Sequence, residues 1–275
     1  MGDTLVGLIA TSSLRPPDFI ADHDRQVVGT RFGDVAVDVG MWGAARVAMV
    51  TRGGARHPLE PGRVNYRGIV SALRSVGARS VLSTCAVGSI RRHLAVGTLV
   101  NLDQFIDFTR HRPPTLYGDD GFCFADMTQP YCARLRTHMN DAARRVGAPM
   151  HDGGCYVGVD GPRFETAAEV RMYGILGGDV VGHTGSTEAV MAREAGLCYA
   201  SVGIITNVAA GLGHDESVSI EGIGHTRQQH GASLEKVMAD VLEAVSDAGP
   251  PDCGCPALLG KRQTASWYGD RPENG

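Results

Sequence analysis

Short runs rich in valine and isoleucine alternate with amphipathic stretches almost to the end of the chain, and this alternation limits the fold more than any other feature. The strand-like runs are residues 5–10, 45–50, 80–83, 97–102, 156–159, 179–181 and 199–206. Helix-like stretches cover residues 64–76, 130–146, 167–176, 186–195 and 226–246. Apolar strands followed by amphipathic helices predict an α/β protein with a largely covered central sheet. Pro130 suits a first helical turn and Gly147 a C-terminal stop, which brackets the second helix. Residues 113–122 read as a loop. No Pro/Ser-rich linker divides the pattern, so residues 1–248 are expected to form one domain. Residues 249–275 hold four of the 13 prolines without a clear period, and this tail is expected to be partly disordered, beyond Leu259 above all.

The 275 residues carry 26 Lys+Arg against 30 Asp+Glu, a formal charge of −4. That balance gives no general reason to bind a nucleic-acid backbone or an anionic membrane. No run approaches the roughly 18 apolar residues of a membrane span, and the first residues lack a basic n-region. A cytoplasmic protein is expected. The seven cysteines, at 85, 123, 132, 155, 198, 253 and 255, show neither disulfide-framework spacing nor paired CxxC motifs. No metal is expected, and most of these thiols read as small buried hydrophobes. Cys253-Gly-Cys255 stands apart, with an inert pair as the simplest reading because adjacent-but-one thiols make only a strained disulfide.

Polar residues at the ends of apolar strands mark sites in α/β proteins, since strands position them while loops leave room for a ligand. Four such places occur: Thr11-Ser12-Ser13, Arg52 to His57, Ser83-Thr84-Cys85-Ala86 and His183-Thr184-Gly185-Ser186. Hydroxyls, backbone N–H groups and Arg or His donors are what a phosphate needs. The same hydroxyls also serve as helix caps and turn formers, and Arg56-His57 also reads as a solvated pair. A second group is Gly161-Pro-Arg-Phe164-Glu165-Thr166 with Thr206-Asn207. An aromatic face, a carboxylate and an amide are the functions that hold a flat heterocycle by its face and edge. Thr166 with Glu169 three residues on also fits a capping box. Composition and spacing end at an anion site and a heterocycle site, without a reaction.

At these residues the chain resembles the trimeric purine nucleoside phosphorylase family, most closely its S-methyl-5'-thioadenosine and S-methyl-5'-thioinosine phosphorylase branch. The resemblance runs from about Leu5 to Val245. It rests on Cys85-Ala-Val-Gly-Ser-Ile, Leu102-Asp-Gln-Phe-Ile-Asp107, Gly161-Pro-Arg-Phe-Glu-Thr, Ala192-Arg-Glu-Ala-Gly-Leu-Cys-Tyr-Ala200 and Ile204-Ile-Thr-Asn207. It implies one α/β domain with a mixed sheet surrounded by helices, assembled as a homotrimer or dimer of trimers. It also implies a pentosyltransferase that cleaves a purine nucleoside with inorganic phosphate as co-substrate and needs no cofactor or metal.

By the same resemblance Ser12, Arg52, His57, Thr184 and the backbone of Cys85-Ala86 would form the phosphate site. Three positions depart from the family pattern: Ala10-Thr11-Ser12-Ser13 replaces a glycine-rich turn, Gly53 replaces a histidine, and an arginine moves from 55 to Arg56. Phe164, Glu165 and Asn207 would form the base site, and the Glu165–Asn207 pair is the one found in 6-oxopurine enzymes. A carboxylate accepts from the N1–H that hypoxanthine and guanine carry and adenine lacks. Asn207 would also stabilise charge arriving at N7, which makes it and Glu165 the expected catalytic pair. Ile220 falls where methylthio-accepting members carry an aliphatic residue, Phe124 would close over the sugar's 5' side from a neighbouring subunit, and His183 replaces a methionine on the sugar face. Ile220 and Phe124 also read as ordinary core. The implied substrate is S-methyl-5'-thioinosine or another 5'-modified 6-oxopurine nucleoside. Alternatives are an ordinary inosine/guanosine phosphorylase, a nucleoside hydrolase or biosynthetic enzyme with an altered phosphate site, and a non-catalytic purine-binding protein. The terminal CxC resembles one present in some members.

Overall fold

The computed structural model describes residues 4–10, 20–53, 59–118, 121–213 and 218–258. Its organising strand is β5 (Ser80–Ser89), which pairs with three others. The first part of β5 runs parallel to β1 (Val6–Ala10), its whole length runs parallel to β11 (Cys198–Val208), and its last two residues meet β10 (Val180–Gly182) antiparallel. From β1 the sheet continues through β4 (Ala45–Thr51) to the hairpin of β3 (Gly33–Trp42) and β2 (Ala21–Thr30). From β10 it reaches β9 (Cys155–Gly158) and β7 (Gln104–Asp107), and from β11 it reaches β6 (Leu99–Asn101) and β8 (Met150–Asp152). The result is one mixed sheet of 11 strands, the α/β architecture expected from the sequence.

Side-chain alternation along β1 explains why both faces are covered. Val6, Leu8 and Ala10 point into a cluster with Leu135 and Met139 of α2 (Ala133–Val146) and Val237 and Val241 of α5 (Ile220–Asp247). Ile9 points the other way, into a cluster with Ile69 and Leu73 of α1 (Tyr66–Ser75) and Met191 of α4 (Gly185–Glu194). Each of the larger of these side chains contributes about 1.5–3 kcal/mol on burial, well above the helix-propensity differences among ordinary residues, so covering the sheet decides where helices lie. Gly7 is part of this fit, because a Cβ there would stand 2.9 Å from Val81 Cγ2 and 3.5 Å from Leu73 Cδ1. A third cluster joins Val170 and Tyr173 of α3 (Ala167–Ile175) to Ile90, Val157, Val181 and Ala209. It lies under the residues that form the heterocycle side of the site.

Several boundaries differ from the sequence expectation. Helix α2 starts at Ala133 with Cys132 as N-cap, so Pro130 precedes the helix instead of opening it; Gly147, at φ 68°, ends it as expected. Helix α5 begins at Ile220, earlier than expected, because the Ser219 side chain accepts from Gly222 N. Strands β2, β3, β7 and β8 were not anticipated. In the tail, Cys255 is buried, and a short 3-10 helix (Cys255–Leu258) ends the described chain. No described helix is long and apolar enough to cross a membrane.

Candidate active site

Strands β1, β4, β5 and β11 are mutually parallel, so their C-terminal ends open on one edge of the sheet. Ser12 follows β1 and His57 follows the Arg52 turn, but both lie outside the described residues, as do Thr11, Ser13 and Arg56. Arg52 is described, immediately after β4. Its guanidinium faces inward: Nε and Nη2 both bond the Glu188 carboxylate, Nη2 also donates to Ser83 Oγ at 2.8 Å, and Nη1 donates to Thr84 O at 2.9 Å. Ser83 and Tyr199 donate their hydroxyls to the same Glu188 oxygen at 2.8 and 3.0 Å. Burial works against the charged guanidinium, but the adjacent Glu188 outweighs it and raises the Arg52 pKa. Four of the five guanidinium N–H groups a planar arginine offers are thus engaged, and among the described residues one on Nη1 is left without a partner.

Cys85 and Ala86 lie in the middle of β5, opposite Gly203 and Ile204 of β11. Burial pushes the Cys85 thiol up to about 11, so it stays protonated near neutrality and contributes through its backbone and packing. Thr184 is the N-cap of α4, one turn ahead of Glu188, without a capping bond from its own side chain. The Tyr156 hydroxyl caps the helix instead, accepting from Thr184 N at 2.9 Å and Gly185 N at 3.1 Å. The hydroxyl of Thr184 therefore keeps no structural bond among the described residues. Arg52, Cys85-Ala86 and Thr184 are linked through Ser83, Thr84 and Glu188 into one patch.

The heterocycle side is built from two segments. The Glu165 side chain is only 8 % exposed, and its Oε1 stands 3.3 Å from His183 Nε2. The Phe164 ring lies beside the His183 ring at 6.4 Å and 32°. Thr166, the next residue, caps α3 through a reciprocal bond with Glu169, so the capping-box reading holds for Thr166 and leaves Glu165 free to point into the site. Arg112 fixes the other partner: its Nη2 donates to the His183 carbonyl at 2.9 Å and to Asp160 O at 2.8 Å. Gly161 has φ +67°, and a Cβ there would stand 2.9 Å from His183 Nδ1. Only glycine lets the loop pass that ring without strain.

A bulge sets the direction of the strand end that carries Asn207. Ile205 pairs with Val87 and Asn207 with Gly88, so Thr206 is the extra residue that re-aims the strand end. Asn207 Oδ1 accepts from Thr206 Oγ1 at 3.0 Å, while Nδ2 donates to Val208 O at 3.0 Å. Beyond it, Gly211 abuts Ala167 at the start of α3, and Ala209 packs with Val170 and Tyr173. These contacts bring the Asn207 segment against the segment that follows Glu165. Ile220 and Phe124, by contrast, are 68 % and 75 % exposed on the single chain, so neither is core; Phe122 meets Phe124 edge-on at 5.4 Å. Sequence reading missed Glu188, Tyr156 and Arg112, each a lone polar or aromatic residue with no motif, which only the sheet order brings to the site.

Residues 6–245 match the family described as the phosphorylase superfamily. The chain belongs to this superfamily. Within it, the chain is 40% identical to the 6-oxopurine nucleoside phosphorylase of Pyrococcus furiosus, covering 88% of this chain and 93% of that protein. It is 39% identical to a probable S-methyl-5'-thioinosine phosphorylase of Methanopyrus kandleri, covering 92% and 96%. Among solved structures, methylthioadenosine phosphorylase from Schistosoma mansoni in complex with adenine superposes with a TM-score of 0.85, at 27% identity over 93% of this chain and 95% of that one. The sheet described above is thus the superfamily's fold.

Proposed function

We propose that this protein is a purine nucleoside phosphorylase, a pentosyltransferase that splits 6-oxopurine nucleosides with inorganic phosphate, and that its preferred substrate is S-methyl-5'-thioinosine. The observation that carries the base preference is the nearly buried Glu165 carboxylate, whose hydrogen-bonding partner among the described residues is His183 alone. A carboxylate so placed has acceptor capacity for a purine N1–H. It would face an unprotonated N1 in adenine, a mismatch that costs about 1–3 kcal/mol in a dry site. The Asn207 amide turns its two functions toward O6 and N7 when the base replaces its local contacts. The relatives named for 6-oxopurine and methylthioinosine substrates support the same reading.

In this mechanism the C1'–N9 bond loosens as a phosphate oxygen approaches C1' from the opposite side of the sugar. Asn207 stabilises the negative charge that develops on the imidazole ring of the base, and Glu165 holds its pyrimidine edge. Phosphate is held by the remaining Arg52 N–H, the Thr184 hydroxyl and the β5 backbone, with Ser12 and His57 completing the set. The exposed side chains of Ile220 and Phe124 supply apolar cover for a 5'-methylthio group, Phe124 from the neighbouring subunit of a trimer. Because Arg52 spends most of its donors on protein acceptors, water attack without phosphate is the second reading.

The deciding experiment measures free base released from S-methyl-5'-thioinosine, S-methyl-5'-thioadenosine, inosine and guanosine, each with and without phosphate. Phosphate-dependent release, fastest from methylthioinosine, is the expected result. Release that ignores phosphate identifies a hydrolase, inosine preferred over its methylthio analogue removes the 5' reading, and no release from any of the four rejects the activity.

A further inference from the structure

Four of the seven cysteines converge at the end of the molecule opposite the active site. Cys132 is the N-cap of α2, Cys198 is the first residue of β11, and Cys253 and Cys255 flank Gly254 in the tail. Their Sγ atoms all lie within 4.8 Å of one another, with Cys132–Cys253 at 3.6 Å and Cys198–Cys253 at 3.1 Å. All four are free thiols, and Cys132, Cys198 and Cys255 are buried. Cys85, Cys123 and Cys155 take no part.

Zinc held by four thiolates at about 2.3 Å in a tetrahedron requires sulfur–sulfur edges of about 3.8 Å, which is the scale of this cluster. A disulfide needs its sulfurs at about 2.05 Å and joins them in pairs. Here Cys253 stands near two partners at once, an arrangement that suits a shared central ion. The surroundings also suit the net double negative charge of a zinc tetrathiolate. Arg193, itself 3 % exposed, donates to the backbone carbonyls of Gln129 and Cys255, and among the described residues its Nε has no hydrogen-bond partner and the one carboxylate that feels its charge is the exposed Asp126, not in salt-bridge contact. A buried guanidinium whose nearest carboxylate is exposed and not in ion-pair contact is stabilised by further negative charge close by.

We infer that Cys132, Cys198, Cys253 and Cys255 form a structural zinc site that fastens the C-terminal tail to the start of α2 and β11. Four protein ligands close the coordination sphere, so the ion has no open position for substrate. Its distance from the reaction is set by β11, which begins at Cys198 and carries Asn207 nine residues later, about 30 Å along an extended strand. The site escapes sequence motifs because its ligands come from three segments, only two of them adjacent enough to be noticed. The inference departs from the sequence expectation of no metal, which was drawn from the spacing of these same cysteines, and from the reading of Cys253-Gly-Cys255 as an inert pair.

The test is metal analysis of untagged protein purified with a thiol reductant and without chelator or immobilised metal. The expected result is about one zinc per chain, released when a mercurial titrates about four thiols, and replaceable by cobalt with the visible bands of a tetrahedral thiolate complex. Cys253→Ser and Cys255→Ser, placed on the tail where core folding is least at risk, are expected to lower zinc content at least about tenfold and to lower Tm. Turnover at 25 °C should remain within about twofold of the wild type, since neither residue belongs to the active site. Less than about 0.1 zinc per chain, iron in its place, or a chain mass lowered by two hydrogens per cysteine pair would overturn the assignment.

Discussion

His183 Nε2 lies 3.3 Å from Glu165 Oε1, a contact that joins the loop between β9 and α3 to the residue that follows β10. The contact means that Glu165 is held at one oxygen and open at the other. Glu165→Ala should therefore lower kcat/KM for methylthioinosine or inosine by about tenfold to a hundredfold, the loss of one well-placed hydrogen bond to the base. Kinetics equal to the wild type would remove Glu165 from the base site.

Asn207→Asp exchanges a donor–acceptor amide for an acceptor-only carboxylate. The expected outcome is a shift in relative kcat/KM toward adenine nucleosides, measured with methylthioadenosine against methylthioinosine. Unchanged base selectivity in a folded variant would contradict the assignment. Gly88→Ala tests the same amide indirectly, because the new Cβ would stand 3.2 Å from Asn207 Nδ2. A higher KM with little change in Tm is expected.

Glu188 is fully buried against Arg52. Glu188→Gln leaves a buried guanidinium without its counter-charge and should destabilise the protein by about 3–5 kcal/mol, read as a lower denaturant midpoint at unchanged m. Pairing Arg52→Met with Glu188→Leu should recover much of that stability while phosphorolysis stays lost. Such a split would separate the structural part of Arg52 from its contact with phosphate.

Glu169 closes the capping box of α3 and pairs with Arg163, whose guanidinium, with the Thr166 N–H, holds its carboxyl down at about 2. The depressed value makes the contribution complete above the ordinary 4.5 and lost as pH falls through about 2. Glu169→Gln should therefore be less stable than the wild type at neutral pH, with the difference shrinking between those limits. Thr166→Ala removes the reciprocal half of the box and should cost about 1 kcal/mol at any pH. Urea titrations across the range check both.

Phe124 and Ile220 expose large apolar surface on the single chain. Light scattering is expected to give at least a trimer, and Phe124→Ser to raise KM for methylthioinosine more than for inosine. An active monomer would exclude a shared site.

Much of this arrangement was readable because the buried strands are nearly unbroken apolar runs and the polar residues at their ends stand out. What stayed hidden had weak or misleading local signals. Strand β2 reads Ala-Asp-His-Asp-Arg-Gln before its two valines, so an edge strand facing solvent looks like a loop. Gly222 and Gly224 depress helix propensity where α5 begins, and only the Ser219 cap shows that it starts there. Glu188 looks like a solvated helix residue until the order β1, β5, β11 places it under Arg52. Side-chain spacing cannot report such meetings across the sheet, since they depend on which strands become neighbours.

Helix α5 is unevenly anchored. Its buried residues begin at Leu234 and run to Ser246, while Ile220 stands at the free end, 14 residues before the first of them. About 20 Å of helix thus precedes the first buried residue, held partway along by His230, whose ring packs against Gly97. Fraying of the first turn, which carries Ile220, disrupts helical hydrogen bonds but no buried residue, so it is among the least expensive motions available to the fold. Under the proposed function, this turn would uncover and reseal the 5' side of the nucleoside while the sheet and its strand-end residues stay still.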